Sequence, residues 1–124
     1  MKTCLIVDDS AVVRSVMARI ITQIGLKPVE LENGQEAADY CIHYAMPDCI
    51  LLDLYMPVMN GMDALAAIRT MRDGDEPYII FVTTESDQAI ISQAIDLGAN
   101  EFITKPFDYG MIKATLEACG ILDL

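Results

Sequence analysis

The stretch that most constrains the fold is Asp48-Cys49-Ile50-Leu51-Leu52-Asp53. Four apolar residues run without a break into one carboxylate, and Leu54-Tyr55-Met56-Pro57 then leads to turn residues at Asn60-Gly61. A short apolar run followed by turn signals predicts a strand at 49–53 that is buried on both faces. Such a strand needs a neighbour on each side and helices above and below. Its last residue, Asp53, falls where the core opens into a cleft.

The rest of the chain supplies those neighbours. Leu5-Ile6-Val7 centres a first strand at 3–8 that ends in Asp8-Asp9, and Ser10 is placed to cap a helix. Val12, Val13, Val16, Met17, Ile20, Ile21 and Ile24 recur at helical spacing, so 11–24 reads as an amphipathic helix ended by Gly25. Pro28-Val29-Glu30-Leu31 reads as a short edge strand, because proline cannot donate to a ladder. Asn33-Gly34 reads as a turn. A second helix over 35–44 turns Ala37, Ala38, Cys41 and Ile42 inward. Helix three is expected over 62–72 with Leu65, Ile68 and Met71 inward, then an acidic, solvated loop at 73–77. A fourth buried strand comes next at 78–83, then helix four at 87–97, strand five at 100–104 and helix five at 109–119.

Five strands alternating with five helices predict an α/β fold, a doubly wound parallel sheet with helices on both faces. Ligands in such folds bind beyond the carboxyl ends of the strands. Strand one ends in Asp8 and Asp9, strand three in Asp53, strand four in Thr83 and strand five in Lys105. Each of these is ordinary by itself, as a cap, a turn residue, a β-branched residue or a strand terminator. Their joint placement on four strand ends is what points to a site.

The residue types set the chemistry. Three converging carboxylates repel one another unless a cation joins them. Mg²⁺ fits best, with its hard oxygen ligands and its retained open positions for water and phosphoryl oxygens. Asp53 is then a carboxylate nucleophile able to form an aspartyl phosphate. Lys105 supplies a flexible charge for phosphoryl oxygens, and Thr83 a hydroxyl donor.

Bulk properties exclude several classes. The chain has 124 residues, enough for one domain with a true core, and 53% hydrophobic residues exclude disorder. No apolar run is long enough to span a bilayer, and the start of the chain lacks the apolar stretch of a signal peptide, so a cytoplasmic protein is expected. The net charge of −11 argues against nucleic acid and anionic membranes as partners. Cys4, Cys41, Cys49 and Cys119 form no CxxC pair and read as reduced thiols, mostly in the core. His43 is expected at the surface of helix two. Met56, Met59 and Met62 read as loop packing. On helix four, Ile90, Ala94 and Leu97 suit an inward stripe, leaving Ile91 and Ile95 as a second apolar stripe toward solvent that reads as either docking surface or deeper core.

Ile6-Val7-Asp8-Asp9-Ser10, Leu51-Leu52-Asp53, Met56-Pro57 with Gly61, Val82-Thr83-Thr84, Gly98-Ala99 and Lys105-Pro106-Phe107 occur in one order. Together they resemble the receiver domain of two-component response regulators over essentially the whole chain, 1–124. The short form is similar to stand-alone chemotaxis-type (CheY-like) regulators. The resemblance implies a flavodoxin-like (βα)5 fold with strand order 2-1-3-4-5. It implies that Asp53 accepts phosphate from a histidine kinase or phosphotransfer protein. It also implies that Asp8, Asp9, Asp53 and the backbone carbonyl of Tyr55 hold Mg²⁺. Thr83 and Lys105 would contact the phosphoryl group, Phe102 would repack behind Thr83, and the Lys105-Pro106 bond would be cis.

Helix four, strand five and helix five would form the face read by an output protein, such as the flagellar motor switch, or by a phosphatase. A monomer is expected, with at most weak autophosphatase activity. Phe102 stands where a tyrosine is frequent, so its readout would rest on packing. Tyr55 and Glu85 flank the site where such domains tune dephosphorylation. A phosphate sink or a stress or cell-cycle relay fits the same residues.

Other classes fit less well. A haloacid-dehalogenase-like phosphohydrolase needs an acid/base aspartate two residues after the nucleophile, where Tyr55 stands. A flavodoxin-like electron carrier needs a neutral phosphate loop after strand one, where two acids stand. A docking module without the switch would have no use for the acceptor residues.

Overall fold

In the computed structural model, which describes residues 1–122, the inner strands alternate between two separate apolar layers. Leu5 and Val7, Ile50 and Leu52, and Ile79 and Phe81 belong to one layer. Cys4 and Ile6, Cys49 and Leu51, and Ile80 and Val82 belong to the other. That period of two, apolar on both sides, is why these segments read as unbroken hydrophobic runs.

The order of elements is β1 (Thr3–Val7), α1 (Ala11–Ile24), β2 (Lys27–Leu31), α2 (Gly34–His43), β3 (Cys49–Leu52), α3 (Gly61–Arg69), β4 (Tyr78–Thr83), α4 (Gln88–Leu97), β5 (Glu101–Thr104) and α5 (Tyr109–Ala118). The five strands form one parallel sheet in the order β2-β1-β3-β4-β5. This is the doubly wound α/β fold with the expected 2-1-3-4-5 order. Residues from α2, α3 and α4 complete the first layer, and residues from α1 and α5 the second. Among the described residues no helix is long and apolar enough to cross a membrane.

Local chemistry sets the boundaries. Ser10, Asn33, Asn60, Asp87 and Asp108 each accept a hydrogen bond from a first-turn N–H of the helix they precede. Such caps are worth about 1 kcal/mol each. Gly25 and Gly98 end α1 and α4 at φ values of 105° and 115°, a region costly for any residue with a Cβ.

Several expectations need correction. Asn33-Gly34 is not a free turn: Asn33 caps α2, and Gly34 is its first residue. β1 stops at Val7 and β3 at Leu52, so Asp8 and Asp53 lie just past their strands. α3 is shorter than 62–72 because the Arg69 guanidinium gathers the carbonyls of Gly74, Pro77 and Gly98 and pulls the next residues into a turn. Val12, Val16, Ile42 and Leu97 stand out from the cores at 74%, 47%, 64% and 38% exposure. Each lies on the margin of its helix's apolar stripe, beyond the reach of the sheet. His43 is exposed, and Met56, Met59 and Met62 pack on the core as expected. Cys4, Cys41 and Cys49 are buried free thiols and Cys119 is half-buried.

Candidate functional site

The parallel sheet puts the carboxyl ends of β1, β3, β4 and β5 side by side, and the predicted residues gather there. Asp53 is carried by a backbone bond from its N–H to the Val7 carbonyl, 2.9 Å, just past the end of β3. Asp8 and Thr83 are buried at 1% exposure and Asp53 at 8%, whereas Asp9 is exposed. One carboxylate oxygen from each of Asp8, Asp9 and Asp53 lies within 4.8 Å of the others. Lys105 Nζ reaches between two of them, 2.9 Å from Asp8 Oδ2 and 3.5 Å from Asp53 Oδ2. Its backbone N–H donates to the Thr83 carbonyl at 2.9 Å, which joins the ends of β4 and β5. The Lys105-Pro106 peptide bond is cis.

This crowding sets the electrostatics. Burial pushes the Asp53 carboxyl above its ordinary value and the neighbouring Asp8 adds to the rise; the Lys105 ammonium and the N–H groups of Leu54 and Tyr55 oppose it. Burial works against the Lys105 charge, but the hydrogen bond to Asp8 and the charges of Asp53 and Asp8 outweigh it and hold the ammonium above the usual lysine value. The site thus offers three hard carboxylate oxygens, two of them on buried residues, with solvent access on the Asp9 side. That donor set suits Mg²⁺, which keeps water or phosphoryl oxygens in its remaining positions. Asp8, Asp9 and Asp53 are the side chains that could hold it.

The sequence profile of the response regulator receiver domain matches residues 4–117. The chain belongs to the response regulator receiver family. The chemotaxis protein CheY of Thermotoga maritima is 39% identical over 107 residues, which cover 86% of this chain and 87% of that one. The solved structure of Vibrio cholerae CheY4, another chemotaxis protein, superposes with a TM-score of 0.88 at 27% identity, covering 95% of this receiver and 98% of that chain. The receiver domain of the Pseudomonas aeruginosa sensor kinase PA1611, at 25% identity and a TM-score of 0.85 over 94% and 95% of the two chains, was solved with a magnesium ion coordinated in its active-site cleft.

Other residues of the receiver surround the acid cluster. The Tyr55 side chain is 54% exposed, and its hydroxyl donates to Glu85 Oε1. Glu85 in turn accepts the N–H groups of Ser86 and Asp87 at 3.0 and 2.9 Å, and its own N–H donates to Thr83 Oγ1 at 3.3 Å. The loop after β3 and the loop after β4 are therefore linked directly above Thr83. The sequence marked Tyr55 and Glu85 as flanking residues but not as partners.

Phe102 does not join the acid cluster. It is half-buried on β5, and its ring meets Phe81 at 5.4 Å between centroids with a 35° tilt. On α4, Ile91 is half-buried and Ile95 is 45% exposed, both away from the carboxylates.

Of two further supporting residues, Arg14 had no sequence signal and Gly61 was marked only as a turn residue of the Met56-Pro57 motif. Arg14 Nη1 donates to the Asp8 carbonyl at 2.7 Å, holding the acidic turn from α1. Gly61 lies beneath Asp53, where a Cβ would fall 2.2 Å from the Asp53 carbonyl oxygen and 2.7 Å from the Phe81 ring. Between them the chain makes a tight turn at Val58, φ 69°, closed by the Met59 N–H on the Pro57 carbonyl at 2.8 Å. A β-branched residue rarely adopts that conformation.

Proposed function

We propose that this receiver is the phosphoacceptor of a response regulator, with Asp53 as the residue that is phosphorylated. The observation that carries this reading is the meeting of the Asp8, Asp9 and Asp53 carboxylates within 4.8 Å, with Lys105 between Asp8 and Asp53. A carboxylate oxygen of Asp53 forms a bond to phosphorus as the P–N bond of a phosphohistidine breaks. The imidazole of the kinase or phosphotransfer protein leaves with that electron pair. Asp8, Asp9, Asp53 and the Tyr55 carbonyl would hold Mg²⁺, which would supply charge neutralisation for the carboxylate and the phosphoryl oxygens. Lys105 leaves its ion pair with Asp53, whose charge is consumed, and turns to the phosphoryl oxygens. Thr83 donates its hydroxyl to the same group. Tyr55 stands two residues after Asp53, where a hydrolase of this kind would carry its acid/base, so slow self-hydrolysis at most is expected.

Glu85 bonds to Thr83 Oγ1, so a move of that hydroxyl disturbs the start of α4, while Phe102 repacks against Phe81. The face of α4, β5 and α5, with Ile91 and Ile95, is then read by an output protein. Similarity to chemotaxis proteins of Thermotoga maritima and Vibrio cholerae supports a role in motility signalling, with the flagellar motor switch or a phosphatase as reader. The net charge of −11 argues against nucleic acid and anionic membranes as partners.

The test is phosphotransfer from a phosphorylated histidine kinase with and without Mg²⁺. Wild type takes up label only with Mg²⁺, and Asp53→Asn takes up none. Undiminished, acid-labile label on Asp53→Asn would show that another residue is the acceptor.

A further inference from the structure

At the sheet edge farthest from β5, β2 and α2 leave an open groove of about 700 Å³. Val29, Leu31 and Tyr40 line it and are half-buried on the core, while Tyr44 is 65% exposed. The Tyr40 and Tyr44 rings stack at 4.7 Å between centroids. Glu36, Asp39 and His43 also line the groove. Apolar depth with two tyrosines is the composition of a protein-binding surface more than of a solvated helix face.

Its charge is one-sided. Glu30 and Glu32 of the neighbouring strand approach Arg14 at 3.8 and 4.0 Å. Glu36 and Asp39 have no cationic partner among the described residues. One oxygen of Glu36 accepts the Glu32 N–H and one of Asp39 accepts from Gln35, which leaves each carboxylate an oxygen toward solvent. His43 Nδ1 meets the Asp39 backbone carbonyl at 2.8 Å and not a carboxylate oxygen.

We propose that this groove docks an apolar segment of a partner protein that carries arginine or lysine. Apolar side chains of the segment fill the space over Val29 and Leu31. The cationic group lies against a tyrosine ring and pairs with Glu36 and Asp39. Simple strand addition to β2 is a poorer fit, because Pro28 offers no N–H to an added strand. A second copy of this chain is disfavoured by its own charge of −11. Because β2 and β5 lie at opposite edges of the sheet, a partner held here leaves α4, β5 and α5 open, and the groove binds equally in the phosphorylated and unphosphorylated states. This does not rest on the role given to Asp53.

The probe is a short synthetic peptide of alternating leucine and arginine, titrated into the isotope-labelled full chain by NMR, with and without beryllofluoride and Mg²⁺. The expected result is saturable shifts centred on Leu31, Tyr40 and Tyr44, with the same affinity in both states. Asp39→Lys and Tyr44→Ala, both at exposed positions, each weaken binding about tenfold. A peptide with glutamate in place of arginine gives no saturable shifts. The proposal is overturned by no binding at millimolar peptide, by shifts scattered over all acidic surfaces, by unchanged affinity in both variants, or by equal binding of the glutamate peptide.

Discussion

Tyr55 and Glu85 show how much one pair of side chains can govern a reactive group. Their hydrogen bond links the loops after β3 and β4; the Glu85 carboxylate also accepts the N–H groups of Ser86 and Asp87, and its backbone N–H donates to Thr83 Oγ1. With Asp53 as the proposed acceptor, an acyl phosphate there would be lost to water, and the Tyr55 ring is proposed to shield it in part. Tyr55→Ala is expected to shorten the phosphoryl half-life severalfold while leaving label uptake intact. Half-lives measured with Mg²⁺ at fixed pH check this, and an unchanged or longer half-life rules the shield out. At this scale the sequence was most legible for Asp8, Asp9, Asp53, Thr83 and Lys105, because a residue that ends a buried run in a parallel sheet has only one place to go. It was silent on Arg14, and it marked Gly61 as a turn residue without revealing why no larger residue fits. Arg14 matters through one carbonyl brought near by the turn of α1, and Gly61 through a clearance that only tertiary packing creates.

Among the elements, the helices separate what periodicity can and cannot reveal. The stripe on α1 named Met17, Ile20 and Ile21 correctly as buried, yet it also included Val12 and Val16, which are exposed. Spacing tells which way a helix faces; the width of the surface it rests on decides which marginal residues are covered. The two exposed valines lie one turn apart at the start of α1, immediately after the acidic turn. With Asp53 as the proposed acceptor, we assign this start of α1 to docking of the protein that carries the phosphohistidine. The double variant Val12→Asp, Val16→Asp is expected to slow transfer from the kinase by about tenfold or more, a loss of about 1.4 kcal/mol per tenfold. Phosphorylation by a small donor such as acetyl phosphate is expected to be unchanged. Equal slowing with both donors, or none with either, overturns the assignment of α1 to kinase docking. The end of α3 was misjudged for a related reason, since Arg69 bonds to Gly98, twenty-nine residues away, and nothing local records that.

For the molecule as a whole, the site works against the fold until its charges are matched. Burial raises the folded-state pKa of Asp53 above that of the unfolded chain. Its contribution to stability is therefore full below the ordinary carboxylate pKa and is lost as pH rises through the folded value, where the buried group ionises. In a chelator at neutral pH, Asp53→Asn is expected to melt at a higher temperature than wild type. Mg²⁺ at about 100 times its Kd is expected to stabilise wild type by about 2.7 kcal/mol, and Asp53→Asn by clearly less. Thermal denaturation with and without Mg²⁺ checks both, and a variant less stable than wild type in the chelator contradicts the sign. The parallel sheet was legible because strands alternate with helices and the apolar runs marked which strands lie inside, whereas the order 2-1-3-4-5 came only from the resemblance to receiver domains.

The Tyr55–Glu85 link belongs to neither apolar layer, and both residues sit on loops above strands whose side chains form the two cores. If this pair sets the phosphoryl lifetime as proposed, response time and stability are separable properties of this chain, and exchanging Tyr55 and Glu85 would reset the clock while the frame that holds Asp53 stays the same.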